Sequence, residues 1–172
     1  MSKAAAVPAR FVVPAAPSLE LGAPERLVGL GFRLWFSGLK TGDIGYWEKA
    51  WCAYSSAMGA TAAKSAVRDL SCWVRAIRQH SQRDVETAAA GCDGFCRDEC
   101  VAIAMIAACQ HEACPAMRAC AFALLGCSMI DEVVGGAESF AHTLQQADRV
   151  LSPAAANTCA LIALPAASEL RH

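Results

Sequence analysis

Aromatic side chains are scarce in this chain, at 7% of 172 residues, and neither charge sign predominates, with 15 basic residues against 16 acidic ones. The shortage of large rings means that a core must be built from closely approaching helices with small side chains and a few large anchors. A formal net charge of -1 removes the broad electrostatic drive toward nucleic acid or an anionic membrane, while leaving room for a local patch. Long apolar runs are missing too. Val101 to Cys109 and Ala119 to Cys127 are the longest, about half of what a spanning helix requires. The apolar stretch around Phe11 to Val13 is brief and interrupted by Pro8, Pro14 and Pro17, which does not fit a secretory signal. The expectation is a soluble, cytoplasmic chain with neither nucleic acid nor membrane as a partner.

Catalytic signatures are equally thin. The chain has no G-x-S-x-G elbow, no G-x-x-x-x-G-K phosphate cradle and no dinucleotide fingerprint after a strand. Gly38 to Asp43 superficially resembles a phosphate loop, but it joins two helical segments and has the wrong spacing. A di-iron bundle would want two Glu-x-x-His pairs, and the single one, Glu169 with His172, falls at the chain end. A cysteine nucleophile would lack a positioned base. Enzymatic function is therefore not the favoured expectation.

What is present is helical periodicity. Residues 1–23 combine alanine with four interruptions, Pro8, Pro14, Pro17 and Gly22, and read as a disordered arm. Pro24 suits a first helical turn, and Leu27, Leu30, Leu34 with Phe32, Trp35 and Phe36 carry a helix to Gly38. Gly42 and Asp43 mark a turn. Ile44, Trp47, Trp51, Tyr54 and Met58 then fall at steps of three and four on one face, which predicts a core stripe ending at Gly59. A third helix from Thr61 to about Arg83 repeats the pattern with Val67, Leu70, Val74 and Ile77. Its Lys64, Arg68, Arg75, Arg78 and Arg83, opposed by Asp69, read as a solvated face by default, with an acidic partner or a phosphate backbone as the alternative.

Gly91 and Gly94 predict a loop, followed by a fourth helix from Cys96 to Gln110 whose Asp98 and Glu99 complement the macrodipole. A fifth helix runs from Pro115 to near Gly126. Gly135 and Gly136 precede a sixth, with Phe140, Leu144, Ala147 and Leu151 on one side, and Ser152–Pro153 opens a last one through Leu164. No segment alternates with period two. The fold class expected is all-α, a single domain over residues 24–172 forming a bundle of about five to seven helices.

Ten cysteines remain to be explained, and seven lie between Cys92 and Cys127. In a reducing compartment they read as thiols, ligands or packing groups rather than disulfides. Cys92, Cys96 and Cys100 are four apart and would line one helical face if helical geometry extends through Gly94. Thiolates at that spacing can share a soft metal ion. The spacing of these three residues resembles that of bacterial copper-storage helix bundles, which implies a thiolate-bound metal. Cys120 and Cys127 share a face of the fifth helix, and Cys114 lies at the turn with His111 and Glu112. Cys109, Cys159, Cys52 and Cys72 read as small apolar packing residues, and His142 has no assigned role.

Two functional readings follow. The first is a cytoplasmic helical protein for storage, sensing or regulation, binding copper, zinc or an iron–sulfur cluster. Its ligands would be Cys92, Cys96 and Cys100, completed by Cys114, Cys120 or Cys127. The alternative is a non-enzymatic interaction or regulatory bundle whose cysteines pack, with thiol redox sensing as a minor variant.

Overall fold

A computed structural model describes residues 21–157, all of them in helices, turns and loops, with no strand among them. Six helices are α1 (Ala23–Thr41), α2 (Gly45–Met58), α3 (Ala60–His80), α4 (Arg97–Gln110), α5 (Cys114–Leu125) and α6 (Asp131–Gln146). A further helical turn covers 153–157. The all-α expectation is met. Residues 1–20 of the expected arm, the rest of the last helix with Cys159 and the Glu169–His172 pair lie outside the described residues, and Ala23 already belongs to α1. No helix of the described residues is long and apolar enough to cross a membrane.

The bundle is organised around α4. Val101 through Ala108 are all buried, because this helix packs against α1, α5 and α6 at once. A helix apolar on every side is what such a central position requires. Around it, α3 lies along α6 and α2 bridges α1 and α3. The few large rings act as the expected anchors: Trp73 of α3 stands 5.7 Å from Phe32 of α1 and 5.8 Å from Phe140 of α6, with Tyr54 of α2 6.4 Å from Phe140.

Glycine sets the closest approaches. On α1, a Cβ added to Gly31 would overlap the Tyr54 ring, and one added to Gly38 would overlap the Trp47 indole. Gly38 is therefore a notch within α1 rather than its end, and the helix runs on to Thr41, where Gly42 adopts φ 73° and its N–H caps the Gly38 carbonyl at 2.8 Å.

Similarly, Gly135 and Gly136 do not precede α6 but lie inside it. An added Cβ on Gly136 would stand 3.1 Å from the Trp73 Cα, so its missing side chain lets α3 and α6 approach. Leu151, expected on the same helix, is buried in the segment beyond it. That segment is held by Gln110, whose Oε1 accepts the Leu151 N–H at 2.7 Å and whose Nε2 donates to the Arg149 carbonyl at 2.9 Å.

Two further expectations need correction. The helical face Ile44–Met58 is real, but only Tyr54 reaches the core fully; Ile44 is 64% exposed and Trp51 39% exposed. Cys52 and Cys72 are exposed rather than packed. Cys72 lies on the exposed side of α3, whereas the stripe and Cys52 differ because α2 is peripheral, with Ala50 and Tyr54 as its buried positions. Its apolar face is wider than the surface that α1 and α3 supply to cover it.

Candidate functional site

The start of α4, where the cysteine density pointed, is built around a residue from another helix. Arg33 of α1 is 2% exposed. Its guanidinium forks onto Glu99, with Nε to Oε1 at 2.7 Å and Nη2 to Oε2 at 2.9 Å. Nη1 donates to the carbonyls of Cys92 at 2.7 Å and Ala89 at 3.5 Å, and Nη2 donates to Gly94 at 2.5 Å. The five N–H groups of an arginine thus meet five acceptors, and the Phe95 ring stacks 5.0 Å from its Cζ.

Glu99, fully buried, also accepts the N–H of Ala88 at 3.0 Å and of Cys96 at 2.8 Å. Beside it Asp98, 3% exposed, pairs with Arg83 at 2.7 Å and accepts the Glu86 N–H at 2.8 Å. The two carboxylates do sit in the first turn of α4, where the macrodipole favours them. Their main partners, however, are arginines and loop amides. The segment 81–96, which has no regular secondary structure, is wrapped around these charges. Hydrogen bonding to Glu99 holds the Arg33 guanidinium protonated above its ordinary range.

This wrapping decides where the thiols go. Helical geometry does not extend through Gly94, because the carbonyls of residues 89, 92 and 94 turn inward to Arg33. Cys92 is exposed on the loop. Cys96 is the N-cap of α4 in a capping box with Glu99, and its Sγ lies 3.3 Å from the Glu86 carbonyl. Cys100 is half-buried, with Sγ 3.9 Å from the Phe95 carbonyl. Burial pushes both the Cys96 and Cys100 thiols above the usual cysteine range, which disfavours the thiolate that ligation and nucleophilic attack need.

The other three nominated thiols lie elsewhere. Cys114 is exposed at the first position of α5, Cys120 is buried in the core, and Cys127 is half-buried beyond the end of α5, with Sγ 3.6 Å from the His80 carbonyl. A helix of this length separates Cys114 from Cys127 by about 18 Å. His111 points Nε2 at the Leu151 carbonyl, 2.8 Å away, not at a thiol. Among the described residues, no three His, Cys, Asp or Glu side chains are grouped so as to hold one metal ion.

Thiol reactivity should follow this map. Alkylation of the folded protein is expected to label Cys52, Cys72, Cys92 and Cys114 first, because they are exposed. Cys120 is shielded by burial, and burial pushes the Cys109 thiol up to about 12, leaving little thiolate at neutral pH. Time-resolved peptide mapping checks the order, and early labelling of Cys109 would contradict it.

A second feature has the opposite character. Trp35, Ile44, Trp47, Glu48, Trp51 and Val67 line an open groove of about 600 Å³ where α1, α2 and α3 meet, with Cys52 at its edge. Gly38 seats Trp47 against α1, so that Trp35 and Trp47 stand 5.7 Å apart, with the Trp47 Nε1 donating to the Trp35 carbonyl at 3.4 Å. Trp51 and Ile44 are left facing out. The lining of the groove is almost wholly apolar.

Sequence reasoning missed both Arg33 and this groove. The acidic pair was a usable clue, since Asp98 and Glu99 open a helix that is otherwise almost wholly apolar and therefore has to be enclosed together with them. No protein-family model, curated protein or solved structure matches the chain.

Proposed function

We propose that this chain is a non-enzymatic interaction protein that receives a helix of a partner protein in the groove between α1, α2 and α3, in a reducing, cytoplasmic setting. The groove carries the reading: three tryptophans and an isoleucine line it, with Trp51 and Ile44 open to solvent. Tryptophan is the residue most enriched among those that dominate binding energy, particularly in pockets a partner can dehydrate. A concave apolar channel of this kind takes the apolar stripe of an amphipathic helix. Two cysteines fit the same reading, Cys96 as the cap of α4 and Cys120 as a core packing group.

The test is binding of a synthetic amphipathic helical peptide, with leucines at i, i+3, i+4 and i+7 and a neutral polar face, followed by tryptophan fluorescence and calorimetry. The native protein is expected to bind it, and Trp51→Glu to weaken binding at least about tenfold, the equivalent of about 1.4 kcal/mol, with an unchanged circular dichroism spectrum. Equal binding by both proteins would remove the groove from consideration.

A second reading rests on the sequence spacing of Cys92, Cys96 and Cys100 alone: a copper or zinc ion, or an iron–sulfur cluster, held by these thiols. Metal analysis and an absorption spectrum of protein prepared without oxygen test it. Stoichiometric metal that disappears when the three are replaced by serine supports it, and bare thiols dispose of it.

A further inference from the structure

We infer that the helix accepted by the groove is acidic along one edge, an inference that rests on the groove being a helix-binding site. The charge next to the groove carries it. Val67 lines the groove, and on α3 the residues three before it and four, eight and eleven after it share its stripe. These are Lys64, Ser71, Arg75 and Arg78.

Lys64, Arg75 and Arg78 are exposed and take part in no ion pair among the described residues. Arg68 flanks the stripe and is paired with its neighbour Asp69 at 3.0 Å. Val67 of α3 and Cys52 of α2 both line the groove. From Lys64 to Arg75 the basic row that begins one turn before Val67 extends about 16 Å along α3. A chain whose formal charge is -1 overall has concentrated unpaired cations along this one edge.

An apolar stripe bordered on one side by positive charge is complementary to a helix whose leucine-like stripe is bordered on one side by aspartate or glutamate. Glu48 stands within the groove on the α2 side and refines the pattern, favouring a basic or neutral residue at the partner's opposite edge. Anionic membrane also attracts tryptophan and basic side chains, but Glu48 stands within the groove itself, where it would meet anionic headgroups. A partner protein's helix is the occupant the charge pattern favours.

Two synthetic peptides with the same leucine stripe, one with glutamates along the edge facing α3 and the other with lysines there, discriminate. With the full chain at low salt, the glutamate peptide is expected to bind at least about tenfold more tightly than the lysine peptide, and the advantage to shrink as salt screens exposed charges. Arg75→Glu with Arg78→Glu is expected to invert that preference, while Trp51→Glu weakens both peptides.

Equal affinity for the two peptides, with both lost in Trp51→Glu, overturns the acidic edge and leaves the groove reading standing. Insensitivity of both to Trp51→Glu overturns the groove itself. Saturable sedimentation with phosphatidylserine vesicles, abolished by the same substitutions, would show a lipid surface as the occupant. A concentration-dependent dimer broken by Trp51→Glu would show a second copy. Either result overturns the inference.

Discussion

Arg33→Met is expected to lower the unfolding free energy by about 3–5 kcal/mol, since removing one partner of a buried ion pair strands the other. Domains of this size have about 5–15 kcal/mol in total, so much of the protein would be lost to the unfolded state on mild heating. Glu99, with no exposed surface, would be left buried without its counter-ion. A buried pair can often be replaced by two apolar residues with little cost. The double variant Arg33→Met with Glu99→Leu is nevertheless expected to remain destabilised here.

Glu99 also serves the Ala88 and Cys96 amides, and Arg33 also serves the carbonyls of Ala89, Cys92 and Gly94. Removing both side chains leaves these loop groups without partners, at about 1–3 kcal/mol for each that stays buried. Urea titrations of the three proteins decide. Full recovery in the double variant would show an ordinary ion pair and a loop ordered by something else.

The second large effect separates two tryptophans that composition alone treats alike. Trp73→Ala is expected to cost about 3–5 kcal/mol, the range for emptying a large core site. Trp73 is fully buried between Phe32 and Phe140, with Gly136 of α6 packed on its backbone, and the surrounding helices have little room to close the cavity. Trp51→Ala, at a site 39% exposed, is expected to cost about 1 kcal/mol or less while weakening peptide binding. Thermal and urea unfolding read the contrast. Comparable losses in the two variants would place Trp51 in the core and remove the basis of the groove.

The helices were legible because each carries its own period and its own stops. Gly59 and Gly42 end helices as glycines in such positions do, and the central run of α4 announces its own enclosure. The failures arose where a decision depends on something distant in the chain. Gly136 is inside a helix because Trp73, far earlier in the chain, needs the space.

The stripe from Ile44 to Met58 was correctly placed on one face, but periodicity specifies a face and not what covers it. Cys92 was left off the cysteine row by an arginine on α1, about sixty residues away, that pulls the loop carbonyls toward itself. The thiols' spacing along the chain carries no trace of that pull.

The paired notches on α1 have a consequence for how the groove meets a ligand. Gly31 takes Tyr54 and Gly38 takes Trp47, so two contacts, two turns apart on each helix, fix α2 at once in distance, rotation and slide. One such contact would leave α2 a pivot; two leave it none. The walls of the groove are consequently set before anything arrives, and little conformational freedom is left for binding to remove. Preorganised surfaces of this kind lose less entropy on association. A weakly adherent, rapidly exchanging partner could therefore be held by a modest area of contact, with selectivity governed by fit rather than by rearrangement.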